Sequence, residues 1–460
     1  TISREGCSLK ITDRNHYDGY AGTAQTGLCI QNGRYEGYVW MKSEQEVPVS
    51  IEIYDKEGRE FLSKTISVNG EWKKYCFDFR SAAVTYTGTM EIRLKAAGTL
   101  WVDGCSLMPS DTVDGIWREV FERIKNISPA VIRFPGGCFA DTYHWRDGIG
   151  PKEERKTIVN TNWGGVTENN AFGTHEFMAL CRELGCEPYI SGNVGSGSVQ
   201  EFSDWVEYCN MAGQSPMAAL RRQNGQEEPF NVRYWGIGNE NWGGGGNMRP
   251  EFYADLCRQY STFLRSYDPG LVPYKIACGA SEEDYHWTRT VVESAGHTID
   301  AISLHYYTIP GDNWGVKGSA TDFGTDEYYH TLYRTLWMDE LIENHSRVIR
   351  RFAKGRKIGL AVDEWGTWYD VEPGTNPGFL YQQNTMRDAL VAAINLNIFN
   401  NHCDTVVMAN IAQMVNVLQA MVLTDGDKLL LTPTYHVFRM YREHQNAAQL
   451  ETYAETTLLN

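Results

Sequence analysis

The stretch YWGIGNENWGGGG, residues 234–246, decides how this sequence is interpreted. A short apolar run leads into Asn239 and Glu240, and four glycines follow shortly after Trp242. The apolar run predicts a buried strand of a parallel barrel, in which residues at the carboxyl end of a strand face the functional mouth. The glycines predict a loop that bends tightly past that mouth, because glycine tolerates strained backbone conformations.

The same alternation of apolar runs and helical stretches continues from residue 110. Helical segments at 112–127, 175–185, 252–267 and 329–354 are separated by short apolar runs at intervals of roughly 40 residues, which is typical of a parallel sheet with helical crossovers. The runs are AVIRF (130–134), EPYISGN (187–193), VRYWGIGN (232–239), YKIACGA (274–280), IDAISLHYY (299–307), KIGLAVDEW (357–365) and TVVMANIAQ (405–413). These seven strands are one fewer than a (β/α)8 barrel requires.

The two ends of the chain have a different pattern. Residues 1–109 alternate apolar and polar positions in short segments with Gly and Asn turns between them, which predicts an all-β jelly-roll or sandwich module. The stretch LLLTPTYHVFRMY, from residue 429, predicts the beginning of a terminal β-domain. We therefore expect three parts: a jelly-roll-like module at 1–109, the barrel at 110–428 and a partial β-sandwich at 429–460.

Charge and composition narrow the classes of function. The net charge of −16 would repel a nucleic-acid backbone, and no run approaches the roughly 20 apolar residues that a membrane span needs. The eleven cysteines are odd in number and scattered, so free thiols in a reducing, cytoplasmic compartment are the default expectation. The chain opens on Thr1, which leaves a leader, and with it secretion or a periplasmic location, open.

Two glutamates follow strand-like runs directly. Glu240 and Glu364 lie 364 − 240 = 124 residues apart, or three strand–helix units of roughly 40 residues, so they would face each other across the mouth of a barrel. Glycoside hydrolysis needs two such carboxylates, one to protonate the departing oxygen and one to attack the anomeric carbon or activate water. Either glutamate alone is more simply explained by a salt bridge or by exposure, but the pair with Asn239 and the nearby tryptophans favours catalysis.

Other chemistries are less well supported. The stretch GNVGSGS, 192–198, lacks the lysine of a phosphate-binding loop, and no G-x-S-x-G motif is present. His305 has no second ligand at metal-binding spacing and is more simply a pocket or packing residue. Cys138 has no histidine evidently placed to activate it as a nucleophile. We therefore expect neither a metal nor a cofactor.

Several motifs, in the same order along residues 110–445, resemble the family 51 α-L-arabinofuranosidases of glycoside-hydrolase clan A. They are RFPGGCFADTYHWRDGIGPKEER (133–155), YWGIGNENW (234–242), SLHYYT (303–308), VDEWGTWY (362–369) and ANIAQMVNVLQAMVLTD…LTPTYHVF (409–438). The resemblance implies a (β/α)8 barrel with an attached β-sandwich and a retaining, double-displacement mechanism.

The resemblance also implies a role for each matching residue. Glu240 would be the general acid/base and Glu364 the nucleophile. Asn239 would bond the sugar 2-hydroxyl, and Tyr307 would lie against the nucleophile. The remaining substrate contacts would come from Cys138, Gln413 and the aromatic walls Trp163 and Trp368.

The chain departs from the family pattern at its beginning. The first barrel strand of the family has no match, and the module 1–109, whose last strand resembles carbohydrate-binding jelly rolls of families 4, 9 and 22, stands where a subset of the family has an insertion. Tyr35, Tyr38, Trp40 and Trp72 are candidates to stack on sugar rings there. We expect a barrel with open strand edges, which invite pairing with another chain, in a truncated polypeptide.

The expected function is that of a retaining exo-α-L-arabinofuranosidase acting on arabinoxylan-type or arabinan-type oligosaccharides. The alternative within the family is an endo-β-glucanase or β-xylosidase, and a mainly transglycosylating enzyme would use the same glutamates. A non-catalytic carbohydrate-binding protein is the alternative from another class. Family members often form hexamers, so a homo-oligomer is also open.

Overall fold

Six antiparallel strands open the chain in the computed structural model, which describes residues 8–15, 21–450 and 455. The strands are β1 (Leu9–Asp13), β2 (Gly22–Ile30), β3 (Gly33–Tyr54), β4 (Glu60–Ser81), β5 (Thr85–Leu94) and β6 (Gly98–Pro109). The first half of β3 pairs with β6 and its second half with β5, while β4 pairs along most of β3. The two long strands therefore join two four-stranded layers over one apolar core.

Strand β3 shows why the module has an inside and an outside. Its odd-numbered residues from 35 to 43 and from 47 to 53 are buried, as the alternation of side chains along a strand requires. Tyr35 is 5% exposed and stacks on Phe79, so the expectation that it could stack on a sugar ring is wrong. Tyr38 and Trp40 lie on the outer face, where the Lys74 ammonium covers the Tyr38 ring at 3.8 Å.

The rest of the chain alternates strands and helices. This part begins with a short hairpin whose two strands, β7 (Thr112–Val113) and β8 (Ile116–Trp117), have two residues each, and the strands and helices of the alternation follow. They are α1 (Arg118–Ile127), β9 (Val131–Phe134), β10 (Ile158–Asn160), β11 (Val166–Glu168), α2 (Thr174–Leu184), β12 (Glu187–Gly192), α3 (Val199–Asn210), α4 (Pro216–Gln223), β13 (Tyr234–Ile237), α5 (Pro250–Phe263), β14 (Tyr274–Ser281), α6 (Tyr285–Ala295), β15 (Ala301–Thr308), α7 (Thr325–Thr335), α8 (Trp337–Phe352), β16 (Gly359–Thr367), α9 (Met386–Asn401), β17 (Val406–Ile411), β18 (Val422–Asp425), β19 (Lys428–Leu431) and α10 (Pro433–Tyr441).

Seven parallel strands form a nearly closed barrel in the order β9-β12-β13-β14-β15-β16-β17. Every residue of β15 and β16 is buried, because one face of the sheet packs inside the barrel and the other packs against helices. The predicted barrel is confirmed. Over the described ranges, β9 and β17 each have one strand neighbour and do not pair with each other.

The segment after β19 corrects one expectation. We predicted the beginning of a β-domain from residue 429, but residues 433–441 form helix α10. Pro433 occupies the first turn, and the Thr432 hydroxyl accepts a hydrogen bond from the Tyr435 N–H, which is a strong helix start. Phe438 stacks on Trp365 of β16, so the helix covers the barrel. Residues 451–454 and 456–460, where the predicted β-sandwich would continue, lie outside the described part.

The N-terminal module contacts the barrel at two places. Lys74 of β4 forms an ion pair with Glu153 at 3.4 Å, in the loop between β9 and β10. Tyr86 of β5 donates to Asp427 in the turn between β18 and β19. In the described ranges, no helix is long and apolar enough to cross a membrane, and the ten cysteines form no disulfide.

Candidate active site

The two predicted catalytic glutamates meet at the carboxyl end of the barrel. Glu240 follows β13 in a left-handed backbone conformation (φ 45°), and Glu364 lies in β16 directly beside His305 of β15. One carboxylate oxygen of each glutamate and Nδ1 of His305 all lie within 4.8 Å of one another. Retaining glycosidases hold their two carboxyl groups about 5 Å apart and inverting enzymes about 6.5–9.5 Å apart, so this spacing is that of a retaining enzyme.

Glu364 is held by one donor on each oxygen. Arg133 Nη1 donates to Oε1 at 3.0 Å and the Tyr307 hydroxyl donates to Oε2 at 2.9 Å. Burial and the charge of Glu240 raise the pKa of Glu364, while the charges of His305 and Arg133 act against that rise. These contacts stabilise an ionised carboxylate at a fixed position, as a nucleophile requires.

His305 lies between the acidic groups. Its Nδ1 is 2.8 Å from Glu240 Oε1 and 3.6 Å from Glu364 Oε2, and its Nε2 is 3.0 Å from Asp363 Oδ1. Burial alone would lower the pKa of His305, but the charge of Glu364 and the hydrogen bonds to Asp363 and Glu240 raise it to about 10. The imidazolium in turn lowers the pKa of Glu240 against the effect of burial, so at neutral pH His305 carries the proton and donates it in a hydrogen bond to the Glu240 carboxylate.

The same three groups have the spacing of metal ligands. His305, with a pKa raised to about 10, is protonated at neutral pH, and Asp363, whose pKa Arg133 and His305 bring down to about 2 despite burial, accepts a hydrogen bond from its Nε2. The arrangement can therefore move a proton between His305 and Glu240.

Asn239 and Cys138 border the acid/base glutamate. Asn239 is 1% exposed, and its Oδ1 accepts a hydrogen bond from Arg133, whereas its buried Nδ2 has no protein partner. A free amide donor beside the nucleophile fits the predicted bond to a sugar hydroxyl. Cys138 Sγ lies 3.6 Å from Glu240 Oε2, so the thiol borders the site, and its contact with the sugar stays a prediction.

The glycine loop folds back over the residue that precedes it. The N–H groups of Gly243 and Gly245 donate to the Glu240 carbonyl at 2.8 and 3.1 Å. A Cβ on Gly244 would lie 2.4 Å from Cys138 Sγ, and one on Gly245 would lie 1.9 Å from the Asn239 carbonyl oxygen. The strand therefore runs into a carboxylate and a glycine turn because only glycine lets this loop close on the acid/base residue.

The predicted aromatic walls and Gln413 border the open side of the site. Trp163 and Gln413 line a cavity of about 1750 Å³ together with Arg133 and Glu364. Trp368 packs edge-on against Tyr307, with ring centroids 4.9 Å apart. The structure thus brings all eight predicted site residues to one end of the barrel, and their roles stay predictions.

Three residues that contact residues of the site were not predicted as site residues from the sequence. Arg133 and Asp363 lie inside strand-like runs, and only the register of the barrel shows that they meet Glu364 and His305. Trp314 lies in the loop after β15, 46% exposed, with its ring 5.3 Å from that of Trp368. An exposed tryptophan in a loop after a barrel strand is a signal that could have identified it.

Comparison with known proteins agrees with this geometry. The family model described as α-L-arabinofuranosidase 1 domain matches residues 123–330, and that described as α-L-arabinofuranosidase C-terminal domain matches 363–459. An intracellular exo-α-L-arabinofuranosidase of Bacteroides ovatus is 54% identical over 354 residues, which cover 77% of this chain and 68% of that protein.

Solved structures agree as well. The crystal structure of the GH51 arabinofuranosidase from Xanthomonas axonopodis pv. citri is 53% identical with a TM-score of 0.70, covering 71% of this chain and 66% of that one. The arabinose-bound structure of MgGH51 α-L-arabinofuranosidase covers 95% of this chain and 70% of that one with a TM-score of 0.71, and at 15% identity it supports the fold alone. The chain thus spans about two thirds of the length of these relatives. It belongs to the family 51 α-L-arabinofuranosidases.

Proposed function

We propose that the chain is a retaining exo-α-L-arabinofuranosidase that releases terminal arabinofuranosyl residues from arabinoxylan-type or arabinan-type oligosaccharides. The observation that carries this proposal is the pair Glu240 and Glu364, with carboxylate oxygens within 4.8 Å of each other. An inverting enzyme holds its two carboxyl groups further apart, so that a water molecule fits between the sugar and the base. The shorter distance here suits a carboxylate that attacks the sugar itself.

In the first step Glu364 attacks the anomeric carbon of the arabinofuranosyl residue. Arg133 and Tyr307 hold its two oxygens, so the carboxylate needs little reorganisation. The proton that the His305 imidazolium donates to Glu240 moves onto that carboxylate and from it to the departing glycosidic oxygen, which leaves His305 neutral and Glu240 ionised. A glycosyl ester of Glu364 and the free leaving group result.

In the second step Glu240, now ionised, removes a proton from a water molecule that attacks the same carbon. The ester bond to Glu364 breaks, and arabinose leaves with its original anomeric configuration after two inversions. The unpartnered Nδ2 of Asn239 is placed to donate to the sugar 2-hydroxyl, a contact that strengthens in the transition state.

The alternatives have less support. The relatives named above are arabinofuranosidases, not glucanases or xylosidases, and the Bacteroides ovatus protein is named exo-acting. A non-catalytic binding protein would have no need to keep a half-buried and a buried glutamate, an arginine and a histidine in contact with one another.

Hydrolysis of aryl glycosides tests the proposal. We expect kcat/KM of the chain on 4-nitrophenyl α-L-arabinofuranoside to exceed that on the β-D-xylopyranoside and β-D-glucopyranoside by at least about 100-fold. On linear arabino-oligosaccharides, arabinose should be the only early product. A ladder of shorter oligomers would indicate endo action, a preference for the xyloside or glucoside would favour the alternatives, and inertness on every glycoside would contradict the proposal.

A further inference from the structure

We propose that Asp141 is a positioning residue for catalysis: its buried carboxylate fixes the main chain of Asn239 and thereby the direction of the Glu240 side chain. This inference rests on the proposed function, because it assigns a role in proton transfer by Glu240. Asp141 ends the short helical turn Gly137–Asp141 that follows β9, and it is 2% exposed.

The contacts of Asp141 join three loops at the carboxyl end of the barrel. Oδ1 accepts hydrogen bonds from the N–H groups of Val194 and Gly195, both at 2.8 Å, in the loop after β12. Oδ2 accepts from the N–H of Asn239 at 2.7 Å, in the turn after β13. The Asp141 carbonyl oxygen accepts from the Ser196 N–H at 3.0 Å, which adds a second tie to the loop after β12.

The main chain around this carboxylate is too close-packed to shift freely. A Cβ on Gly195 would lie 2.8 Å from Asp141 Cβ and 2.9 Å from the Gly245 carbonyl oxygen. A Cβ on Gly245 would lie 2.6 Å from Asp141 Oδ2. The carboxylate, the loop after β12 and the glycine loop therefore interlock around the peptide that carries Glu240.

This arrangement makes the direction of Glu240 depend on Asp141. Asn239 is held at both ends, by Asp141 through its N–H and by Arg133 through its side-chain oxygen. Glu240 comes next in the chain and has φ of 45°, a conformation that a non-glycine residue keeps only when its surroundings impose it. Burial raises the pKa of Asp141 to about 6, and the N–H groups of Val194, Asn239 and Gly195 limit that rise, so the acceptor is ionised at neutral pH.

The variant Asp141→Asn tests the inference on two substrates. An amide nitrogen cannot accept a hydrogen bond, so at least one of the three N–H groups loses its acceptor. A displaced Glu240 should matter most for a poor leaving group, because acid assistance is needed most there. We expect kcat/KM on phenyl α-L-arabinofuranoside to fall at least about tenfold more than on the 4-nitrophenyl glycoside.

A matched control and a second variant keep the test decisive. Asp300 also accepts a backbone N–H, from Lys275 at 2.9 Å, but at the opposite end of the barrel, so Asp300→Asn should leave the ratio of the two substrates unchanged. Should Asp141→Asn fail to fold, Gly195→Ala would place a Cβ 2.8 Å from Asp141 Cβ, which displaces the Asp141 side chain and should show the same selective loss.

Each outcome decides the matter. A larger loss on the phenyl glycoside than on the 4-nitrophenyl glycoside, absent in Asp300→Asn, supports the inference. Equal losses on both substrates in Asp141→Asn, or in Gly195→Ala where that variant replaces it, would show a structural role only and overturn it. A parent chain inert on both glycosides would overturn the proposed function, and this inference with it.

Discussion

Arg133 is the residue on which the charge of the nucleophile depends most directly. It donates to Glu364 and lies 3.7 Å from Asp363, so replacing it with glutamine leaves these two buried carboxylates with His305 as their remaining cation. Because a cation lowers the pKa of a nearby carboxyl, Arg133→Gln should raise the pKa of Glu364 further. We expect kcat/KM at pH 7 to fall about 100-fold and the acid limb of its pH profile to move to higher pH.

The control for this prediction is another buried arginine. Arg155 donates to Glu176 at 2.9 Å, in a pair remote from the catalytic glutamates. Arg155→Gln should lower the stability and leave the acid limb of the pH profile in place. An acid limb that stays in place in Arg133→Gln would contradict the assignment of Glu364 as an ionised nucleophile supported by Arg133.

His305 links stability to pH with a defined sign. Its pKa rises from 6.5 to about 10 on folding, so the stabilisation it contributes is complete below pH 6.5 and is lost as the pH rises towards 10. The difference in free energy of unfolding between the parent and His305→Gln, measured by urea denaturation, should therefore be larger at pH 6 than at pH 9.5.

His345 is the control of opposite sign for this titration. It is 1% exposed, and burial lowers its pKa, so its contribution is present above pH 6.5 and is lost in acid. The difference in free energy of unfolding between the parent and His345→Gln should therefore be smaller at pH 5 than at pH 7. If the difference in free energy of unfolding between the parent and His305→Gln grows from pH 6 to pH 9.5, that result would contradict a protonated His305 in this site.

At the residue scale, the sequence predicted the groups at strand ends better than the groups that support them. Glu240 and Asn239 end an apolar run, and Glu364 follows one, so the parallel barrel alone placed them at its mouth. Arg133 lies within a four-residue strand, and its partner Glu364 is 231 positions away. Contacts of that kind depend on the register of seven strands, which no local pattern in one sequence contains.

The glycine loop is the element on which the acid/base residue depends. A Cβ at position 244 would lie 2.4 Å from Cys138 Sγ, whereas at position 243 the nearest atom would be the Glu240 carbonyl oxygen at 3.8 Å. Gly244→Ala should therefore lower kcat/KM about tenfold or more by shifting the loop, and Gly243→Ala should stay within about twofold of the parent. Steady-state kinetics on 4-nitrophenyl α-L-arabinofuranoside distinguishes them, and equal values for the two variants would refute the role of the loop.

At the scale of elements, the pattern of apolar residues predicted strands and helices correctly where a single pattern continued over a long segment. The strand–helix alternation after residue 110 predicted the barrel, because its strands are continuous apolar runs buried on both faces. The apolar run LLL at 429–431 forms strand β19, as its pattern indicated, but it also led to the expectation that the β-domain continues after it. The start signal at Thr432 and Pro433 ends the strand there, and the packing of Phe438 on Trp365 stabilises helix α10 in its place.

Among the described residues, the barrel has two edge strands, β9 and β17, that do not pair with each other. Unpaired edges bind other strands, so we expect the chain to self-associate as its concentration rises. Val407 on β17 is 46% exposed, and Val407→Lys should reduce association by placing a charge on that edge. The matched control for Val407→Lys is Val272→Lys, because Val272 is 66% exposed and lies outside the strands. Light scattering after size-exclusion chromatography measures the mass, and a parent that stays monomeric at every concentration would contradict the expectation.

The composition and length of the chain predicted its class and little about its assembly. The acidic charge and the absence of long apolar runs from the sequence argued against nucleic acid and membrane, and the glycan-type substrate was predicted from the two glutamates and the motifs. Neither charge nor composition contains the contacts of the N-terminal module with the barrel, which include those of Lys74 and Tyr86. Those contacts join residues whose surfaces take shape only after each part has folded.

The central claim, that Glu364 is the nucleophile and Glu240 the acid/base, is tested most directly by azide rescue. Glu364→Ala and Glu240→Ala should each lose most activity on 4-nitrophenyl α-L-arabinofuranoside, and azide should restore part of it in both. The account predicts β-L-arabinofuranosyl azide from Glu364→Ala by one inversion, and the α-azide from Glu240→Ala through the covalent intermediate. The reverse pair of anomers, identified by NMR, would contradict it.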